Sequence, residues 1–135
     1  MEKTLAIIKP DAVQAMHTGK IIDRIEHEGF TIVGMKKLHM TKAQAEAFYA
    51  VHKGRGFFDE LVEFMSSGPV VVMALSKNGA IMAWRDLMGA TDPAKAAPNT
   101  LRKLFGTNIG NNATHGSDAP ETAAVEVKFF FPELA

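Results

Sequence analysis

The chain contains no cysteine, so disulfides and thiolate metal sites are closed to it, which fits a reducing compartment. It also lacks net charge. Fifteen basic and fifteen acidic side chains cancel, and no basic run marks a nucleic-acid binder. Long apolar runs are missing as well. The N-terminal run is cut by Lys9 and is too short for a signal h-region, and Val70 to Leu75 falls far short of a membrane span. Familiar nucleotide signatures are absent too. Gly19-Lys20 has no earlier glycine at P-loop spacing, and Ile21 stands where Ser or Thr is needed. No Gly-x-Gly-x-x-Gly follows a strand, and no His-Glu-x-x-His or His/Asp cluster offers a metal cage. These absences predict a soluble, cytoplasmic protein with no membrane partner, for which nucleic acid is an unlikely ligand.

What is present is an ordinary globular composition. The 135 residues are 47% apolar and 22% charged, which suggests one domain with a real core. Thr4 to Ile8 reads as a buried strand stopped by a Lys9-Pro10-Asp11 loop. Gly19 opens a helix with Ile21, Ile22 and Ile25 on one face and Gly29 as its stop. Phe30 to Met40 is rich in β-formers. Thr41 with Gln44 forms a capping-box pattern for a helix through about Val51. After the basic break Lys53 to Gly56, Phe58 to Ser66 returns to helical spacing. Val70 to Leu75 is a second buried strand, and Ala80 to Met88 a helix closed by Gly89. Ala90 to Asn99 reads as an ordered surface loop, Leu101 to Phe105 as a helical turn, Ala113 to His115 as a short edge strand, and Asp118 to about Phe129 as the last helix. The order β-α-β-α-α-β-α-β-α predicts an α/β (α+β sandwich) protein. Its expected core is a ferredoxin-like βαββαβ unit, with a four-stranded antiparallel sheet, added helices, and helices on at least one face.

Chemistry is concentrated in Asn112-Ala113-Thr114-His115-Gly116-Ser117-Asp118. Ser117 and Asp118 are good N-cap residues and Pro120 suits a first helical turn. A helix N-terminus favours phosphate, and an imidazole beside it could accept a phosphoryl group covalently. Taken alone, a histidine in a polar loop is more often only hydrogen-bonded. A scattered phosphate kit adds weight: Lys9 after a strand, then Arg55, Arg85, Thr91 and Arg102 in or near loops. Any one of these arginines alone reads as a surface charge. His17, His27 and His39 read as structural, as does His52, although it precedes the Lys53 to Phe58 stretch and could sit near the site, and Phe129 to Phe131 read as core or interface.

The block around His115 resembles the active-site signature of the nucleoside diphosphate kinases, of the short bacterial type. Five further blocks agree in order: Ile8-Lys9-Pro10-Asp11, Arg55-x-Phe57-Phe58, Ser67-Gly68-Pro69-Val70, Arg85-x-x-x-Gly89-x-Thr91-x-Pro93 and Thr100-Leu101-Arg102. The resemblance implies a single nucleoside diphosphate kinase domain over residues 1–135. It implies transfer of a γ-phosphoryl group from a nucleoside triphosphate, typically ATP, to a nucleoside diphosphate by ping-pong chemistry. Such an enzyme maintains nucleotide pools. The carrier would be a phosphohistidine on His115, with Glu126 orienting the ring and Ser117 helping to hold Glu126. Lys9 and Asn112 would reach the sugar hydroxyls, Lys9 also the γ-phosphoryl group. Arg85, Thr91 and Arg102 would hold the phosphates, and Tyr49 would lie near His115. Phe57 would stack on the base, giving broad base specificity, with Phe58 as the alternative groove residue. Mg²⁺ would be bound with the nucleotide, held mainly by its phosphates and not directly by the protein. The partners implied are nucleoside tri- and diphosphates and further copies of the chain, in a hexamer built from dimers or else a tetramer. One interface is expected at the Ala90 to Asn99 loop. A non-catalytic nucleotide-binding module is the competing class, and an intact His115 and Glu126 argue against it.

Some positions depart from the family pattern. Gly56 replaces a usual proline, which leaves the base stack open to question. Lys103-Leu104 follows Arg102 where a small residue and an acid are usual. Thr114 replaces Val or Ile but keeps the β-branch. The sequence ends at Ala135, without the longer tail of many relatives, so the assembly is left open.

Overall fold

A computed structural model describes residues 1–134. The apolar run at the start forms β1 (Glu2–Ile8), whose last five residues are buried. The expected loop after it is instead a short helix, α1 (Pro10–Gln14). Pro10 takes the first helical position, where its fixed φ suits the helix and its missing N–H is not needed. α2 (Thr18–His27) buries Ile21 and Ile25, and Gly29 beyond it takes a left-handed φ of +89°.

β2 (Thr31–Leu38) is shorter than the Phe30 to Met40 expectation and bulges between Ile32 and Gly34. Gly34 is required there, because a Cβ would come within 2.9 Å of the Phe131 ring. α3 (Lys42–Phe48) carries both bonds of the Thr41/Gln44 capping box. It does not reach Val51. The chain breaks at Tyr49 and makes a 3-10 turn at Ala50–His52. α4 (Phe58–Met65), β3 (Val70–Lys77) and α5 (Ala80–Met88) follow as expected. The loop after Gly89 holds a 3-10 turn at Pro93–Lys95. α6 (Leu101–Phe105), β4 (Thr114–Gly116), α7 (Pro120–Phe130) and a 3-10 turn at Pro132–Leu134 complete the described chain.

The four strands form one antiparallel sheet in the order β2-β3-β1-β4. This is the ferredoxin-like arrangement, with the two middle strands the most apolar. Helices cover both faces, one more than the sequence required. Leu5, Ile7, Val70 and Val72 point to a cluster built with α3, α4 and α7, including Val62, Met65 and Phe130. Ala6, Ile8, Val71 and Met73 point to the opposite cluster with Ile21, Ile25, Trp84 and Leu87. β1 and β3 are buried on both sides, and so lack polar alternation. Pairing of Ile7 with His115 sets β4 beside the end of β1 and turns His115 toward the face covered by α3 and α7.

Candidate active site

β4 is only three residues long, and several long-range contacts hold it. Ala113, just before it, takes a φ of +73°, and Thr114 N–H bonds back to Asn112 O at 2.9 Å. That is a γ-turn, a strained conformation for an alanine, costing about 1–3 kcal/mol. Asp11 Oδ2 accepts from Ala113 N–H at 3.1 Å, and Lys9 N–H donates to Ala113 O at 2.8 Å. The start of α1 therefore clamps the turn. From the other side, Trp84 Nε1–H donates to His115 O at 3.0 Å. A Cβ on Gly116 would overlap the Trp84 indole, so only glycine fits there.

Within this frame His115 Nε2 lies 2.9 Å from Glu126 Oε1 on α7. The same oxygen accepts from Ser117 Oγ at 3.0 Å, and Ser117 Oγ accepts from Leu5 N–H at 3.2 Å. Ser117 is fully buried in this relay. It is not the N-cap of the last helix, nor is Asp118, whose carboxylate bonds Arg85 Nη1 at 2.7 Å. Ala119 occupies the cap position, and Thr122 Oγ1 accepts from the Asp118 and Ala119 N–H groups. The phosphate-binding helix end expected here is thus capped by the protein itself. No side chain or backbone of the described residues bonds His115 Nδ1.

His115 forms a wall shared by two adjoining cavities. The larger, about 430 Å³, is lined by Lys9, Phe57, Ile109 and Asn112 among others. The smaller, about 300 Å³, is lined by His52, Arg85, Gly89 and Asp118 among others. Tyr49, Thr91 and Arg102 line both. The ten residues to which the family resemblance assigns roles come together here: nine of them border the cavities or, like Glu126, bond His115, and Ser117 supports Glu126. Arg55 is exposed and lines neither cavity.

The polar groups form a connected set. Lys9 Nζ donates to Asn112 Oδ1 at 2.8 Å, and Asn112 Nδ2 donates to Thr91 O at 3.1 Å. Arg102 donates to Gly89 O at 3.1 Å and to Thr114 O at 3.0 Å. Backbone carbonyls therefore anchor this arginine where relatives are expected to use an acid. Burial pulls Lys9 down to about 8, assisted by the Arg102 guanidinium and opposed by the Asp11 carboxylate. Burial and the neighbouring Arg85 pull Arg102 down to about 10, which leaves it charged at neutral pH. Burial pushes the Tyr49 phenol well above its ordinary value, and the Glu126 carboxylate adds to the effect. The Tyr49 hydroxyl is buried without a partner among the described residues, and its ring meets that of His115 edge-on at 6.1 Å.

Phe57 is 47% exposed at the cavity mouth, whereas Phe58 is 7% exposed and belongs to the core. Of the two phenylalanines, Phe57 is the groove residue. Several lining residues escaped the sequence reading. His52, read as structural, borders the smaller cavity and stacks near Tyr49 at 6.3 Å. Ile109, 60% exposed, is a lone apolar residue in a polar loop, a signal that could have marked it. Trp84 and Asp11 act through backbone contacts; no local pattern announces Trp84, and the family block that contains Asp11 assigned it no role.

Residues 2–135 match the sequence profile of the family described as nucleoside diphosphate kinase. A nucleoside diphosphate kinase from Syntrophotalea carbinolica is 64% identical over 134 residues, covering 99% of this chain and 98% of that one. One from Desulfotalea psychrophila is 63% identical with the same coverage. The crystal structure of the Aquifex aeolicus nucleoside diphosphate kinase superposes with a TM-score of 0.96 at 49% identity, covering 98% of this chain and 96% of that one. A nucleoside diphosphate kinase from Halobacterium salinarum, solved in complex with CDP, superposes with a TM-score of 0.93 at 40% identity, covering 96% and 87%. With the match running from one end of the sequence to the other, and with the fold agreeing, the chain belongs to the nucleoside diphosphate kinase family of phosphotransferases.

Proposed function

We propose that residues 1–135 act as one domain that carries a γ-phosphoryl group between nucleotides as a phosphohistidine on His115. The observation that supports this most directly is the 2.9 Å contact of His115 Nε2 with Glu126, which leaves Nδ1 free at a wall common to both cavities. With the proton held on Nε2, the lone pair on Nδ1 attacks the γ-phosphorus of a bound triphosphate. The N–P bond forms as the bond to the bridging oxygen breaks, and the diphosphate leaves with that oxygen and its electron pair. The ring becomes positively charged, and the Glu126 carboxylate offsets that charge without taking the proton. A terminal oxygen of a second diphosphate then attacks the phosphorus, and the imidazole is restored. One site serves both nucleotides in turn, which gives ping-pong kinetics. Such an enzyme exchanges phosphoryl groups among nucleoside triphosphate and deoxynucleoside triphosphate pools in the cytoplasm.

Arg85, Arg102 and Thr91 bind the phosphates, with cations placed where charge shifts during transfer. Arg85 exchanges Asp118 for phosphate when the nucleotide enters. Lys9 and Asn112 reach the sugar hydroxyls, Lys9 also the γ-phosphoryl group, and Tyr49 packs beside the reacting ring. The base stacks on Phe57 with Ile109 at the same mouth. Every base has a π-face, so this contact accepts all of them. The CDP complex of the Halobacterium salinarum relative supports reading the cavity as a nucleotide site. Among the described residues no group of three His, Asp or Glu side chains converges. Cations dominate the phosphate cavity, so its residues fit Mg²⁺ brought in on the phosphates and not caged by the protein. When bound, the ion neutralises phosphate oxygens. The active particle is a homo-oligomer, a hexamer built from dimers or a tetramer.

The test is to incubate the protein with γ-labelled ATP and Mg²⁺ without an acceptor, beside His115→Asn. Label that is acid-labile, moves to added GDP or dTDP, and is absent from the variant is the expected result. No label on either protein, with ATP still bound, would sink the relay and favour a binding module. Label on both would mean another nucleophile.

A further inference from the structure

α4 turns one stripe toward the larger cavity. Phe57, Glu60, Leu61 and Phe64 follow helical i, i+3, i+4, i+7 spacing, and all four line it. Three are apolar. Glu60 is the exception, and the only carboxylate among the described residues lining that cavity. It is exposed and makes no side-chain hydrogen bond or ion pair with the described residues. A place in the first turn of α4 explains an acid there, since carboxylates favour the positive end of a helix. It does not explain the direction. Asp59 meets the same helix end while facing away, beside Lys42 and Glu63.

The two cavities separate by chemistry. The residues common to both, Tyr49, Thr91, Arg102 and His115, form the phosphate end. Phe57, Glu60, Leu61 and Ile109 border only the larger one and form the far end. A free carboxylate repels phosphate, but among apolar walls it is a hydrogen-bond acceptor for a flat polar edge. We propose that Glu60 reads the edge of the base, accepting a hydrogen bond from an exocyclic amino group and disfavouring a carbonyl in its place. The inference rests on the cavity being the nucleotide site, and it names a preference within it. Stacking on Phe57 remains indifferent to the base, so Glu60 tilts a broad specificity without closing it. Cytosine and uracil give the cleanest contrast, because they share one ring shape and differ at the amino or oxo position. The tilt expected of a charge-assisted hydrogen bond open to water is about threefold to tenfold.

Calorimetry of the full chain with CDP and with UDP measures the affinity ratio without any chemistry. The wild type should bind CDP more tightly, and Glu60→Gln and Glu60→Ala should both bring the ratio close to one. A CDP preference that persists in Glu60→Ala, or variants that shift both affinities by the same factor, would overturn the proposal. The second outcome would mean that Glu60 acts only through its charge. The label experiment on the same preparations keeps the two readings apart. Phosphoenzyme formation with equal CDP and UDP affinities overturns the role of Glu60 alone. A CDP preference lost in both variants, without phosphoenzyme, supports Glu60 and overturns the relay.

Discussion

Single side chains here act through partners that are far away in sequence. Glu126 is eleven residues from His115, and its Oε1 alone meets both His115 Nε2 and the Ser117 hydroxyl. Glu126→Gln keeps a similar shape but removes the charge that offsets the phosphorylated ring. Phosphoenzyme formation is expected to slow about a hundredfold, with circular dichroism unchanged. Lys9 gives a pH signature. Its ordinary value of 10.5 falls to about 8, chiefly through burial. Activity at limiting nucleotide, which reports on the free enzyme, is expected to decline as pH rises through about 8. Lys9→Gln should be slower and lack that decline. Stability runs the other way. A depressed lysine disfavours the fold while charged, so between about 8 and 10.5 the wild type should gain unfolding free energy relative to Lys9→Met, because the unfolded chain binds the extra proton. Urea unfolding at several pH values would check the sign.

At the scale of elements, the smallest strand carries the most constraint. β4 is held by Asp11 and Lys9 through the Ala113 turn and by Trp84 through the His115 carbonyl. Gly116→Ala would push a methyl group into the indole. It is expected to destabilise by about 1–3 kcal/mol and to displace His115. A lower thermal midpoint together with weaker phosphoenzyme formation would report both effects. Gly56 is the opposite case. Its φ is not left-handed, and a Cβ there meets nothing within 4 Å. Gly56→Ala is expected to add about 0.4–1 kcal/mol by restricting the unfolded chain. It should also lower KM by steadying Phe57. An unchanged KM would mean that the glycine leaves Phe57 as well ordered as the usual proline does.

For the whole molecule, the sheet has two unequal edges. β4 lies under the site, whereas β2 is open, with Val33 37% and Met35 51% exposed. An open strand with apolar side chains is a surface that proteins usually cover. Under the proposed assembly, light scattering should give a mass several times the 14.7 kDa of one chain. Met35→Glu should lower it. A monomer that retains full activity would remove the need for any assembly at the site, since every side chain assigned to it comes from one chain.

The sequence by itself determined what local chemistry can specify. Apolar runs too short for helices required the buried strands β1 and β3, and Thr41 with Gln44 required a helix start. The ordered family blocks, from Lys9 to Ser117, nominated residues that the fold brings together around the two cavities. Other features were decided by contacts across the chain. α1 replaced a loop because Pro10 sits where a helix begins, and Gly34 is needed inside β2 because Phe131 packs over it. The cap of α7 moved to Ala119 because Ser117 and Asp118 are drawn away by Glu126 and Arg85. Ile109 and Trp84 carry no pattern of their own, and the family block that contains Asp11 assigned it no role. Trp84 and Asp11 matter because β4 and the turn before it meet them across 31 and 102 positions of sequence, and only tertiary structure brings such pairs together.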